Sequence, residues 1–163
     1  MSKPFELDLL EKQLFVWEGS KDPRVVWNMI LGIRAGSAFR PIFLEPIRGE
    51  PNAYQLDSTV FEPNPDDLWP RLKDGGHYRA LAHLIESTPV VSIVESVSMP
   101  RRHNAIPIQE VELERDPYFE ENNRYKGGIY TAIPTQEDID YMRSQLKKAR
   151  KNQGISRFPF FFS

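Results

Sequence analysis

Three histidines and one alternating run of acids are the side chains with the most chemistry to offer in this chain. His77 and His83 fall six residues apart in "HYRALAHLIEST". A helix turns that spacing into about 240° around its axis, so the two rings cannot share one metal from a common face. His103 stands alone in "MPRRHN", and the expectation is therefore no metal site and no cofactor. His83 has Glu86 one turn further on and could pair with it. In "QEVELERD", Glu110, Glu112 and Glu114 share one face of an extended strand by its period of two. Paired carboxylates can do acid and base work, but three on one face also describe a solvated surface.

Positive charge is concentrated elsewhere. From Tyr141 onward the chain carries Arg143, Lys147, Lys148, Arg150, Lys151 and Arg157 and no acid, whereas residues 105–140 hold nine acids and three bases. Basic side chains followed by aromatics suit a phosphate backbone and its bases, which makes Arg143, Lys147, Lys148, Arg150 and Lys151 candidates for nucleic-acid binding. The same charges, with Glu137, Asp138 and Asp140 at the start of the segment, also complement a helix dipole. Arg101 and Arg102 add a second basic point in a loop, where arginine forks could hold a phosphate or an acidic partner.

The order of groups in part of the chain resembles that of ADP-ribosyltransferases: Arg34 or Arg40, then Ser58 and Thr59, then Glu110 and Glu112. The resemblance implies an arginine holding a phosphate, a Ser-Thr strand supporting a nicotinamide site and a last glutamate stabilising a cationic ribose. It is one of residue types in order and not of a motif. The chain has no G-x-S-x-G elbow, P-loop or G-x-G-x-x-G. With no cysteine, disulfides, thiolate zinc sites and cysteine nucleophiles are all excluded.

The last six residues, "FPFFFS", contain Phe158, Phe160, Phe161 and Phe162. Burying four such rings would contribute on the order of 6 to 12 kcal/mol before entropy is subtracted. They are expected to dock, either on their own domain as a latch or on a partner, with Pro159 leaving an extended segment. Phe158, Phe160, Phe161, Phe162, Arg101 and Arg102 are the candidate partner-binding residues.

These residues must be positioned by a fold. The chain has 163 residues, 40% of them apolar and 27% charged. Such a length and composition suit a single domain spanning 1–163. Net charge of -2 argues against a wholly basic nucleic-acid binder. The start of the chain lacks the basic, then apolar, pattern of a signal peptide, and no stretch is apolar for the roughly 18 to 20 residues a membrane span needs, so a cytoplasmic protein of a bacterium or of one of its mobile elements is expected.

Asp22 as cap, Pro23 at the first position and Gly36 at the exit predict a helix in "KDPRVVWNMILGIRAGS", burying Trp27, Ile30 and Leu31. "RPIFLEPIRG" and "NAYQLDSTVFEP" around "GEPN" predict a hairpin. "NPDDLWPRLKDGG" and "HYRALAHLIEST" predict two helices, "PVVSIVESVSM" a central strand, and "AIPIQEVELERD" a strand whose phase slips at a bulge between Ile108 and Val111. "IYTAI" predicts a further strand. Thr135 with an acid three positions on opens the last helix, with Ile139, Met142, Leu146 and Ala149 on one stripe. "EKQLFVWEG" is open between strand and helix, since Leu7, Leu10, Leu14 and Trp17 also have helical spacing. The sum is an α+β fold with a mainly antiparallel sheet, about four helices and an aromatic tail. Without a motif for catalysis, the expected function is an accessory protein that binds a protein partner, with a homodimer as one form of this. Nucleic-acid binding stands second and an unfamiliar enzyme third.

Overall fold

The computed structural model describes residues 3–37, 39–57, 61–62, 71–72, 76–115 and 132–161, with residues 61–62, 71–72 and 153–161 as backbone only. Six strands form one sheet: β1 (Phe5–Leu7), β2 (Gln13–Trp17), β3 (Ile42–Pro46), β4 (Ala53–Leu56), β7 (Val90–Val94) and β8 (Ala105–Pro107). Their spatial order is β1-β7-β3-β4-β2-β8. The sheet is mixed: β1 with β7, β3 with β4 and β2 with β8 are antiparallel, while β3 with β7 and β2 with β4 are parallel. Parallel pairing arises because the chain returns to β7 through a helix and not through a turn. Two short strands, β5 (Phe61–Glu62) and β6 (Arg71–Leu72), make a separate antiparallel ribbon.

Three α-helices are present among the described residues, one fewer than the sequence suggests: α1 (Pro23–Arg34), α2 (His77–Ile85) and α3 (Gln136–Phe161). Of the helix expected over "NPDDLWPRLKDGG", Arg71 and Leu72 are strand, and the other residues lie outside those described.

The open question over residues 11–19 resolves as strand. Leu14, Phe15 and Val16 are all buried while Leu10 is 58% exposed, so no helical face collects the apolar residues. A strand covered on both faces needs a continuous apolar run. Leu14 and Val16 join the main core with Ile42, Leu44, Leu56 and Val90 against the helices, and Phe15 joins Ile47 and Ala53 in a smaller cluster.

Local rules explain the helix ends. The Asp22 side chain accepts from the Arg24 N–H at 2.9 Å, and Pro23 follows it. At the other end Gly36 takes a φ of +78°. There the Ser37 N–H reaches the Gly32 carbonyl at 2.9 Å, closing the helix as left-handed exits commonly do. Thr135 and Asp138 form a reciprocal capping box. Asp138 N–H donates to Thr135 Oγ1 at 3.2 Å, and Thr135 N–H donates to Asp138 Oδ2 at 2.8 Å. Met142, Leu146 and Ala149 are buried as their spacing requires.

The helical backbone of α3 continues past Pro159 to Phe161, where an extended segment was expected. A proline this near a helix end removes one hydrogen bond without needing to break the helix. The side chains of Phe158, Phe160 and Phe161, and all of Phe162, lie outside the described residues.

The phase slip after Ile108 is a 3-10 turn, Ile108–Glu110, in place of a bulge. It rotates the chain so that Ile108, Val111 and Leu113 are all buried. Most of "IYTAI" lies outside the described residues, and Ala132 and Ile133 are not strand. Instead the Asn28 side chain accepts from Ala132 N–H at 3.1 Å and donates to its carbonyl at 2.8 Å. No described helix is long and apolar enough to cross a membrane.

Candidate functional site

The loop carrying Arg101 and Arg102 folds back over the sheet, and its two arginines have different fates. Arg102 Nη2 donates to Glu45 Oε1 at 2.6 Å and Nη1 to the Leu56 carbonyl at 2.9 Å, while its own N–H reaches Gln55 Oε1 at 3.0 Å. Gln55 Nε2 completes the cluster by donating to Glu45 Oε1 at 2.8 Å and to the Pro100 carbonyl at 2.9 Å. Cross-strand register supplies the geometry, because Glu45 and Gln55 are paired residues of β3 and β4 and therefore share a face. Arg102 is thus a strut that fixes the loop to the sheet. Arg101 remains 44% exposed, its guanidinium 4.7 Å from the centre of the buried Phe15 ring and 3.6 Å from Glu50.

Glu45 is fully buried, and its Oε2 has no hydrogen-bond partner. Burial pushes its carboxyl above the ordinary value, and neighbouring Asp57 adds to this, while Arg102 and Gln55 pull the other way. Asp57 itself accepts from the Ser96 hydroxyl. A folded-state value above the unfolded one means that Glu45 favours folding most below its unfolded value, and that this contribution is lost as pH rises through the folded one. Urea unfolding of the wild type and of Glu45→Gln between about pH 4 and pH 7 should show wild type losing ground to the variant as pH rises. The opposite slope would mean that attraction to Arg102 outweighs burial.

Two of the five basic candidates on α3 are also internal struts. Arg143 Nη2 donates to the Leu113 carbonyl at 3.0 Å. Arg150 donates through Nε to the Gln109 carbonyl at 2.6 Å and through Nη2 to the Val111 carbonyl at 3.3 Å. The segment they grip presents Glu110, Glu112 and Glu114 to solvent, so acids border the basic face. Lys147, Lys148 and Lys151 are exposed.

The groups of the ADP-ribosyltransferase order serve separate structures. Arg34 pairs with Glu86 at 2.5 Å where α1, α2 and α3 meet, and Tyr141 donates to the same carboxylate at 2.7 Å. Arg34 is held charged chiefly by that hydrogen bond to Glu86. The Arg40 carbonyl receives Arg79, and Ser58 and Thr59 lie outside the described residues. His83 bonds Thr88 at 2.8 Å in place of Glu86, and burial lowers its affinity for a proton. His103 is exposed.

The arrangement with most to offer a ligand is one that the sequence pattern does not single out, the entry to α2. Gly76 precedes the helix with a φ of +77°, and a Cβ there would lie 3.0 Å from Ile42 Cγ2 and 3.2 Å from Leu56 Cδ2. The start of α2 therefore rests directly on β3 and β4. Among the described residues no side chain caps it, and the first turn of a helix carries partial positive charge. Beside it the Trp17 and His77 rings stack at 5.1 Å, and the Arg102 guanidinium lies 5.7 Å from the centre of the Trp17 ring. Arg79, 6% exposed, donates to the Arg40 carbonyl.

Lys21 reaches the first turn of α2 through Tyr78. It forms a parallel bridge with Leu113, its N–H to the Glu112 carbonyl at 2.9 Å and its carbonyl to the Glu114 N–H at 3.0 Å. Paired residues share a face, so Lys21 is turned with buried Leu113, and Glu112 and Glu114 point the other way. Its ammonium lies 5.7 Å from the Tyr78 ring centre. Adjacent Asp22 is engaged by Arg24, at 2.9 Å from Nε and 2.5 Å from Nη2. Burial lowers the Lys21 proton affinity. Among the described residues no carboxylate pairs with Lys21. A glycine pair before a helix and a lysine between strand and cap were the available signals, but neither matches a phosphate-loop spacing.

Gly76→Ala should cost about 1 to 3 kcal/mol, from the left-handed backbone and the approach to Ile42 together. Thermal unfolding checks this, and an unchanged midpoint would show that the helix start is not held where described.

Compared with protein-family models, with curated proteins and with solved structures, the chain gives no match. The class that the fold itself defines is an α+β domain with one mixed six-stranded sheet.

Proposed function

We propose that this domain is a binding protein whose ligand is a phosphate-bearing anion held at the entry to α2. The observation that carries it is Lys21, a half-buried cation turned away from the nearby glutamates, its ammonium 5.7 Å from the ring of Tyr78 in the first turn of α2, a helix start that no described side chain caps. Helix N-termini and lysines favour the same ligands, because backbone N–H groups and a point charge both stabilise phosphate oxygens. Arg79, His77 and Arg102 add positive or protonatable groups, and Trp17 supplies a flat apolar wall. Calorimetric titration with inorganic phosphate should give binding that weakens as salt rises and falls at least severalfold in Lys21→Gln. Equal heats for the two proteins would remove Lys21 from the site and the proposal with it.

A protein partner, a second copy of the chain included, is the second reading. It is supported by exposed Val91, Val97 and Met99 along β7 and the segment after it, of which Val97 is 78% exposed. A contiguous exposed apolar patch is the kind of surface that a partner covers. Light scattering of the full chain, beside a Val97→Ser, Met99→Ser double variant, tests it. A smaller mass for the variant favours an interface there, and a monomer in both cases excludes self-association.

A further inference from the structure

The two faces of the sheet differ. Val90 and Leu44 belong to the core under the helices, so the alternate residues of β7 and β3 lie on the other face. Val91 is one of these, and its register partner on β1 is Glu6, which therefore stands beside it. Further along the same line Met99 bridges to Ile47, which packs with Phe15, and Arg101 lies over the Phe15 ring. Glu6, Val91, Met99 and Arg101 thus share one face of the sheet, and all four are exposed. Between them the two paired segments fall out of step. From Leu44 to Ile47 β3 advances three residues, while its partner advances five, from Val94 to Met99. The excess makes a bulge, and Val97 within it is 78% exposed.

Charge is sorted to either side of Val97. Exposed Glu6 and Glu95 lie toward the Val91 end. Arg48 and Arg101 lie toward the Met99 end, where Arg48 Nη2 reaches the Ser98 carbonyl at 3.4 Å. Glu50 does approach Arg101, at 3.6 Å, but an exposed pair of that length contributes little in water and leaves the guanidinium available. A surface acidic at one end, basic at the other and apolar between is complementary to itself when a copy is turned end for end. We propose that this face is a two-fold interface between two copies of the chain, with Val97 of each near the axis and Glu6 of each opposite Arg101 of the other. The pairing rests on the protein-partner reading and names that partner. A partner of one charge would match one end of the face alone, whereas a second copy matches both. The net charge of -2 leaves little overall repulsion between copies.

The experiment uses the full chain and follows its mass in solution by light scattering over a range of concentrations. Wild type is expected as a dimer. Glu6→Arg and Arg101→Glu each oppose like charges at both ends of the interface, and each should raise the dimer dissociation constant about tenfold or more. Mixed in equal amounts, the two single variants should recover the dimer, because the mixed pair places opposite charges at both contacts, and native mass spectrometry identifies that pair. The Glu6→Arg, Arg101→Glu double variant should likewise dimerise alone, which shows that the single changes leave the fold intact. Wild type that stays monomeric at every concentration overturns the interface. Single variants that weaken the dimer and do not recover it when mixed overturn the reciprocal pairing, as does a dimer that neither charge change affects. Failure of the protein-partner reading at this face is seen separately: a wild-type dimer whose mass is unchanged by Val97→Ser, Met99→Ser is assembled through another surface, and the two-fold pairing falls with it.

Discussion

Arg102→Ala is expected to lower the stability of the domain by about 3 to 5 kcal/mol, the usual cost of removing one partner from a buried ion pair. The loss arises less from the missing attraction than from what remains. Glu45 is fully buried, one of its oxygens has no partner, and the guanidinium and Gln55 are what hold the other. Without the Arg102 side chain the Glu45 carboxylate must stay charged in a poor environment or take up a proton, and the loop from Pro100 loses its contact with the Leu56 carbonyl, keeping the backbone bond from residue 102 to Gln55. The pair therefore makes a sharper prediction than either residue. In a Glu45→Gln background the same Arg102→Ala change should cost far less, because no buried charge is stranded. Urea unfolding of the four proteins gives the coupling directly. A cost that is the same in both backgrounds would mean that the arginine acts without its bond to Glu45, as through packing over Trp17 and its bond to the Leu56 carbonyl.

Leu81→Ala is the second large effect, with an expected loss of about 2 to 5 kcal/mol. Six of the nine residues of α2 are buried, and Leu81 is 1% exposed among them. The helix packs against α1 and also against α3. Ala80 and Ala82, both fully buried, mark where its neighbours come close. A void at Leu81 has little room to collapse, which places the cost toward the upper part of that range. Denaturant unfolding monitored by circular dichroism measures it. A loss below about 1 kcal/mol would contradict the tight packing described for this helix.

Much of this fold could be read from local rules. The cap and proline of α1, the hairpin of β3 and β4 around Gly49 to Asn52, and the capping box of α3 are all short-range signals, and each describes what those residues do. What escaped depends on distant partners. Nothing in the neighbourhood of β2 says that it pairs in parallel with β4, a partner forty residues away at Gln13 and Ala53. A phase slip in the pattern from Ile106 to Leu113 has two solutions, bulge or 3-10 turn, and alternation alone does not choose between them.

The site was less legible for a related reason. Arg101 and Arg102 look alike in sequence, yet only the pairing of β3 with β4 puts Glu45 beneath the second of them. Arg143 and Arg150 look like free positive charge until the 3-10 turn brings carbonyls of Gln109, Val111 and Leu113 to them. Lys21, conversely, looks like a surface lysine, and its inward direction follows from a single bridge to Leu113.

The measurement that bears most directly on anion binding at the entry to α2 is a backbone amide NMR titration with inorganic phosphate. The amides of His77, Tyr78 and Arg79 and the side-chain signals of Lys21 should shift together and saturate, and those of Lys147, Lys148 and Lys151 should move little. Shifts confined to the three lysines of α3, or none that saturate, would contradict a site at α2.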